Sequence, residues 1–137
     1  MILVDTNVFS ELTKPRPEEK VVDWLFEHRR ETLLSTIVVS ELAIGIRTTR
    51  GAAMRALLGR TLDRIVERHA GRIVPFDLSA ARRWGEMGGQ VIVSGGRSGV
   101  FDSMLAAQAL VLDVAVATRN IRDFEDTCVR LIDPWTG

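Results

Sequence analysis

Apolar and polar positions follow two periods along the chain. Short apolar-rich segments at residues 1–4, 32–35, 114–117 and 129–132 have the length and composition of strands, and residues 72–76 read as another. Longer stretches between them repeat apolar residues at helical spacing. Val21, Val22, Leu25 and Phe26 mark a helix over 18–29, and Leu58, Leu62, Ile65 and Val66 mark one over 52–69 that Gly71 ends. Helices are also expected over 38–48, over 79–92 with Ser79 as its cap, and over 101–112. A short one running to Leu12, capped by Thr6 or Asn7, stops before Pro15 and Pro17. Five strands with helices between most of them imply an α/β fold. Parallel strands need such crossovers, and open parallel sheets bind ligands beyond the carboxyl ends of their strands.

Composition adds little to the fold but narrows the chemistry. At 137 residues the chain is expected to form one domain over 1–137, large enough for a core without staples. Cys128 is the single cysteine, so no internal disulfide forms; beside Val129 it is expected to be a small buried hydrophobe. Formal charge is zero, so any nucleic-acid contact must come from a local patch rather than overall attraction. Of the 18 basic residues all but Lys14 and Lys20 are arginine, the better fork for phosphate. Arg60, Arg64 and Arg68, one turn apart, are expected to be a solvated face paired with Asp63 and Glu67. No basic leader precedes the first strand and no run approaches a membrane span, so a cytoplasmic protein with no membrane role is expected.

The acids carry the functional signal. Asp5 is the first charge after the opening strand. Glu41 lies among almost wholly apolar neighbours, where an isolated carboxylate must neutralise, pair or bind a metal. Asp102 sits in the first turn of an apolar helix, where the helix dipole alone would favour an acid. Asn120 and Asp123 follow another strand end. Each position has an ordinary structural explanation, but together they can converge on one edge of a parallel sheet. Gathered carboxylates are stable in ionised form only with a compensating cation, and oxygen-only ligation suits Mg²⁺ or Mn²⁺. His28, His69 and Cys128 lack zinc-ligand spacing.

Four segments in this order resemble the PIN-domain nucleases, in particular the VapC-type toxins and their FitB-like relatives. They are Val4-Asp5-Thr6-Asn7, Ser40-Glu41-Leu42 with Gly45, Phe101-Asp102 with Ala106-Ala107, and Ala117-Thr118-Arg119-Asn120 with Asp123-Phe124; the ending Ile132-Asp133-Pro134-Trp135 is similar to the FitB-like branch. The resemblance spans almost the whole chain. It implies a PIN-like three-layer α/β/α sandwich with a five-stranded parallel sheet. It also implies an acidic pocket for Mg²⁺ or Mn²⁺, hydrolysis of RNA phosphodiester bonds, a homodimer and a cognate antitoxin protein. Asp5, Glu41 and Asp102 fall on the family's three principal acids. Asn120 takes the fourth acidic position, and Asp123 stands close enough in sequence to help, directly or through water.

Such chemistry needs no nucleophilic side chain, since a bound metal polarises water and stabilises charge on phosphate. Asp5 or Asp102 is expected to orient the water. Thr6 is a candidate hydrogen-bond donor to a ligand or carboxylate, and Ser98 and Arg119 are candidate contacts to RNA phosphate. Trp24 and Phe26 are expected to provide apolar surface for a dimer. A phosphotransferase with an aspartyl nucleophile fits poorly, because Asn7 stands where the second aspartate is needed. A PIN-like module that binds RNA or protein without cleaving stays open through Asn120.

Overall fold

The computed structural model describes residues 1–93 and 99–136, with the backbone alone for 89–93. Strand β1 (Ile2–Val4) is followed by helices α1 (Thr6–Glu11) and α2 (Glu19–Glu27), then by β2 (Thr32–Ser35). Helices α3 (Thr36–Thr48) and α4 (Ala52–Arg68) lead to β3 (Ile73–Val74), and α5 (Leu78–Val93) and α6 (Val100–Leu112) lead to β4 (Ala115–Ala117). A short 3₁₀ helix (Ile121–Thr127) precedes β5 (Leu131–Ile132). All strand pairs are parallel, in the order β3-β2-β1-β4-β5. Helices flank this sheet, giving the expected three-layer α/β/α arrangement.

Strand β1 is central because all three of its residues are buried apolar side chains, as a strand covered on both faces requires. It pairs with β2 on one side and β4 on the other, in the registers Leu3 to Leu33 and Leu3 to Val116. The strand order therefore reverses beside β1, and crevices for ligands open at the carboxyl ends of strands at such a switch point. The core gathers Leu3, Val4, Val8, Phe9, Leu34, Val38, Leu105, Val116 and Phe124. Ala106, Ala107 and Ala109 are also buried, and their small side chains let α6 pack closely. Helix α6 contacts both α5 and α3, which brings the Asp102 and Glu41 elements together.

Several local expectations change. Asp5, not Thr6 or Asn7, caps α1, by accepting the Thr6 backbone N–H at 2.8 Å. Ser35 caps α3 through Ile37 N at 3.0 Å, so that helix begins before Val38 and holds the β-branched run 36–39 helical; Ile37 and Val38 are buried. Asp77 accepts the Ala80 N–H at 3.0 Å in place of the expected Ser79 cap of α5. β3 spans only two residues, because Pro75 has no N–H to continue the ladder. Cys128 is exposed rather than buried: it closes the 3₁₀ helix in the left-handed region (φ 61°), while Phe124 and Thr127 take the inward positions. Trp24 is buried and stacks on His28 with ring centroids 4.5 Å apart; Phe26 is exposed beneath the Arg29 guanidinium. Arg60, Arg64 and Arg68 are exposed, and among the described residues none forms an ion pair with Asp63 or Glu67.

Candidate active site

Asp5 leaves the end of β1 with its own N–H donated to Ala117 O across the sheet at 2.9 Å. Its carboxylate is 2% exposed. Oδ1 accepts Thr6 N, and Oδ2 accepts the Thr118 hydroxyl at 2.8 Å and Asn7 Nδ2 at 3.3 Å. Burial nevertheless pushes the carboxyl above the ordinary carboxylate range; the Thr118, Thr6 and Asn7 bonds oppose it and the nearby Asp123 charge adds to it.

Glu41 reaches the same region from α3. Oε1 accepts the Thr6 hydroxyl at 2.8 Å, so Thr6 links two acids: its N–H goes to Asp5 and its O–H to Glu41. No arginine balances Glu41 among the described ion pairs. Partial burial raises its pKa, the Thr6 bond opposes this, and the Asp5 charge adds to it. Asp102 arrives in the first turn of α6. Its carboxyl is pushed up to about 7, first by burial and then by the charges of Asp5, Glu41 and Asp123, with partial relief from a backbone bond at Gly99.

One carboxylate oxygen from each of Asp5, Glu41 and Asp102 lies within 4.8 Å of the others. The ends of β1 and α6 and the second turn of α3 thus converge on one point. Each helix is held in place: Ser35, the α3 cap, also donates to Gln108 Oε1 on α6, and Gln108 Nε2 donates to Val74 O at 3.3 Å. These acids line a cavity of about 430 Å³ together with Thr6, Asn7, Glu11, Lys14, Arg119, Asn120 and Trp135. Three raised carboxyl pKa values show that the trio resists carrying full charge unaided. An all-oxygen donor set of this kind fits a hard divalent cation, which would relieve the repulsion.

This chain is matched over residues 2–129 by the family model described as PIN domain. The chain belongs to the PIN domain family. Among curated PIN domain relatives, "VapC ribonuclease Y4jK" of Sinorhizobium fredii is 37% identical, the match covering 98% of each protein. "Toxin FitB" of Neisseria gonorrhoeae is 35% identical over 98% of this chain and 99% of its own length. The solved structure of FitAcB from Neisseria gonorrhoeae superposes with a TM-score of 0.87 at 34% identity, covering 98% of this chain and 99% of that one.

Within this PIN domain the remaining expected residues fall as follows. Arg119 and Asn120 line the cavity; Arg119 lies over the Trp135 ring at 5.1 Å, and the Asn120 backbone N–H donates to Thr118 Oγ1 at 3.0 Å. Asp123, on the 3₁₀ helix, acts on Asp5 and Asp102 through its charge and is not one of the three clustered carboxylates. Ser98 lies outside the described residues. Asn7 and Thr118 were not foreseen as organisers of the site. Asn7 donates to both Asp5 and Thr118, and its Oδ1 accepts Arg119 N at 3.2 Å. The signal for Thr118 was available only from the β1–β4 pairing, because Val4 opposite Ala117 places the next residues side by side.

Proposed function

We propose that this protein is a metal-dependent endoribonuclease and the toxin of a toxin–antitoxin pair, with residues 1–137 forming a single PIN domain. The observation that carries the reading is the meeting of Asp5, Glu41 and Asp102 oxygens within 4.8 Å. Relatives named as a VapC ribonuclease and a toxin support it. Those three carboxylates would hold Mg²⁺ or Mn²⁺. When bound, the ion supplies positive charge to the scissile phosphate and acidifies nearby water.

The chain's own residues divide the remaining work. Asp5, buried and with both oxygens engaged, is a fixed ligand whose position Thr118, Asn7 and Thr6 maintain. Glu41 is set by the Thr6 hydroxyl. Asp102, whose carboxylate carries fewer hydrogen bonds than Asp5 among the described residues, orients the attacking water and accepts its proton. The water oxygen bonds to phosphorus as the phosphorus–oxygen bond to the leaving ribose breaks. Arg119 contacts RNA phosphate from the cavity edge, and Asn120 supplies a neutral oxygen there, with Asp123 contributing charge from behind.

The cognate antitoxin is read as laying a segment across this cavity and offering an arginine to the acids, a charge-assisted contact. The apolar cleft beside Glu41 and Thr6, lined by Phe9, Leu42, Leu58 and Leu62, adjoins that path. A cytoplasmic homodimer completes the reading; Phe26 and Ile44 are exposed, at 65% and 51%. The test is RNA cleavage with Mn²⁺, and with EDTA, by wild type and Asp102→Asn, alongside induced expression with and without the antitoxin. Cleavage that survives EDTA, or an Asp5→Ala protein as toxic as wild type, would overturn the proposal.

A further inference from the structure

We propose that Lys14 and Arg119 form a paired cationic rim that grips the RNA backbone beside the carboxylates, with Glu11 as the residue that positions Lys14. This rests on the ribonuclease reading above and extends it to residues that the acid pattern does not include.

Lysine is ordinarily a hydrated point charge on a flexible stem. Here its freedom is restricted. Lys14 Nζ lies 2.7 Å from Glu11 Oε1, and the two side chains are 53% and 5% exposed. The other oxygen of Glu11, Oε2, accepts Glu18 N at 2.9 Å. One covered carboxylate therefore spans the turn holding Pro15 and Pro17 and fixes the lysine within it. Backbone bonds from Thr13 N to Ser10 O and Lys14 N to Glu11 O close the start of that turn. A half-exposed lysine–glutamate pair contributes little stability, so stability is a weak reason to commit a covered acid to this duty.

Arg119 is held with similar care. Its backbone N–H is fixed by Asn7, its guanidinium lies over Trp135, and Trp135 N is held by Asp133 Oδ1 at 2.9 Å. Both Lys14 and Arg119 act on the Glu11 carboxyl, lowering its pKa, so Glu11 stands within electrostatic reach of the two cations.

Formal charges give the reason for such a rim. The cavity is lined by Asp5, Glu11, Glu41 and Asp102 against Lys14 and Arg119, which is four negative and two positive charges, net −2. A divalent cation brings that to zero. A polyanion then gains nothing from the average field and must find discrete cations facing its phosphates. A stacked guanidinium offers a fork and a tethered ammonium a point charge.

The test measures anisotropy of a labelled single-stranded oligoribonucleotide across a KCl series, with Lys14→Ala, Lys14→Arg and, as a charge-matched control, Lys20→Ala at an exposed position of α2. One lost phosphate contact should reduce the slope of log affinity against log salt by about 0.7 in magnitude. Lys14→Ala should show this loss, Lys14→Arg should restore the slope, and Lys20→Ala should match wild type. In cleavage assays Lys14→Ala should raise KM several-fold with kcat within about twofold. Equal slopes for Lys14→Ala and Lys20→Ala, or a lowered kcat at unchanged KM, would overturn the rim. If wild type does not cleave RNA, the ribonuclease reading fails by itself. The rim then stands or falls on the anisotropy slopes alone.

Discussion

Metal binding to the carboxylate trio should expel protons, in an amount set by Asp102. A carboxyl with a pKa of about 7 is about 90% protonated at pH 6, half at pH 7 and about 10% at pH 8. A divalent cation binds the ionised form, so Mn²⁺ should displace about 0.9, 0.5 and 0.1 protons from this group at those three values. Asp5 and Glu41, also shifted upward, add to the release at the acidic end. Below pH 7 the affinity should fall by up to about tenfold per pH unit for the Asp102 proton alone, about 1.4 kcal/mol per unit. Calorimetric titration of Mn²⁺ in buffers of different ionisation enthalpy reads the released protons as the slope of observed heat against that enthalpy. Asp102→Asn should remove the Asp102 share. Proton release that is negligible at pH 6, or unchanged from pH 6 to 8, would refute the argument that burial and neighbouring acids keep Asp102 protonated.

The same shift carries a stability signature. Between the unfolded carboxyl pKa near 4 and the folded value near 7 the native state binds the extra proton, so metal-free stability falls as pH rises and levels off above 7. Complete burial would make this about 4 kcal/mol; screening of a partly exposed group reduces it to about 1–2 kcal/mol. Melting scans in EDTA should show it as a gap between wild type and Asp102→Asn that widens from pH 5 to pH 8. Asn120→Asp should strengthen Mn²⁺ binding several-fold, about 1 kcal/mol net of desolvation and repulsion, and lower the melting temperature in EDTA; calorimetry and thermal scans check both. Thr118→Val strips the Asp5 Oδ2 donor and the acceptor for Asn7 and Asn120 at a fully buried position. It should cost about 1–3 kcal/mol in urea unfolding and weaken Mn²⁺ binding, and Thr118→Ser should recover most of both.

The apolar runs were enough to place the strands, and with them the acids at strand ends and helix starts. Asp5, Glu41 and Asp102 therefore converge as the pattern suggested. What stayed hidden depended on choices that several residues satisfy equally well. Asp, Thr and Asn are all good helix caps, so the cap of α1 was decided by sheet geometry: β1 docks against β4 and aims the Asp5 carboxylate back at Thr6 N. That freed the Thr6 hydroxyl for Glu41, a contact 35 residues away in sequence. The 3₁₀ helix has no 3.6-residue period to announce it and is anchored inward by Phe124 and Thr127, so apolar Val129 misled the reading of Cys128. Glu11 and Lys14 carried an i,i+3 spacing that usually marks only a surface pair, and burial of Glu11 behind the turn was legible only in three dimensions.

The pairing of the central strand has a consequence for how the molecule comes into being. β1 leaves the ribosome long before β4, one of its two neighbours, so Val4 waits for Ala117, and Asp5 waits for the Thr118 hydroxyl. Until the last fifth of the chain has been made, the opening strand keeps a bare edge and the first acid lacks a donor that holds it. A chain that ends short of β4 therefore lacks both the strand and the hydroxyl that fix the first acid of the site. Messages truncated before the fourth strand yield chains prone to edge-to-edge association rather than partial nucleases.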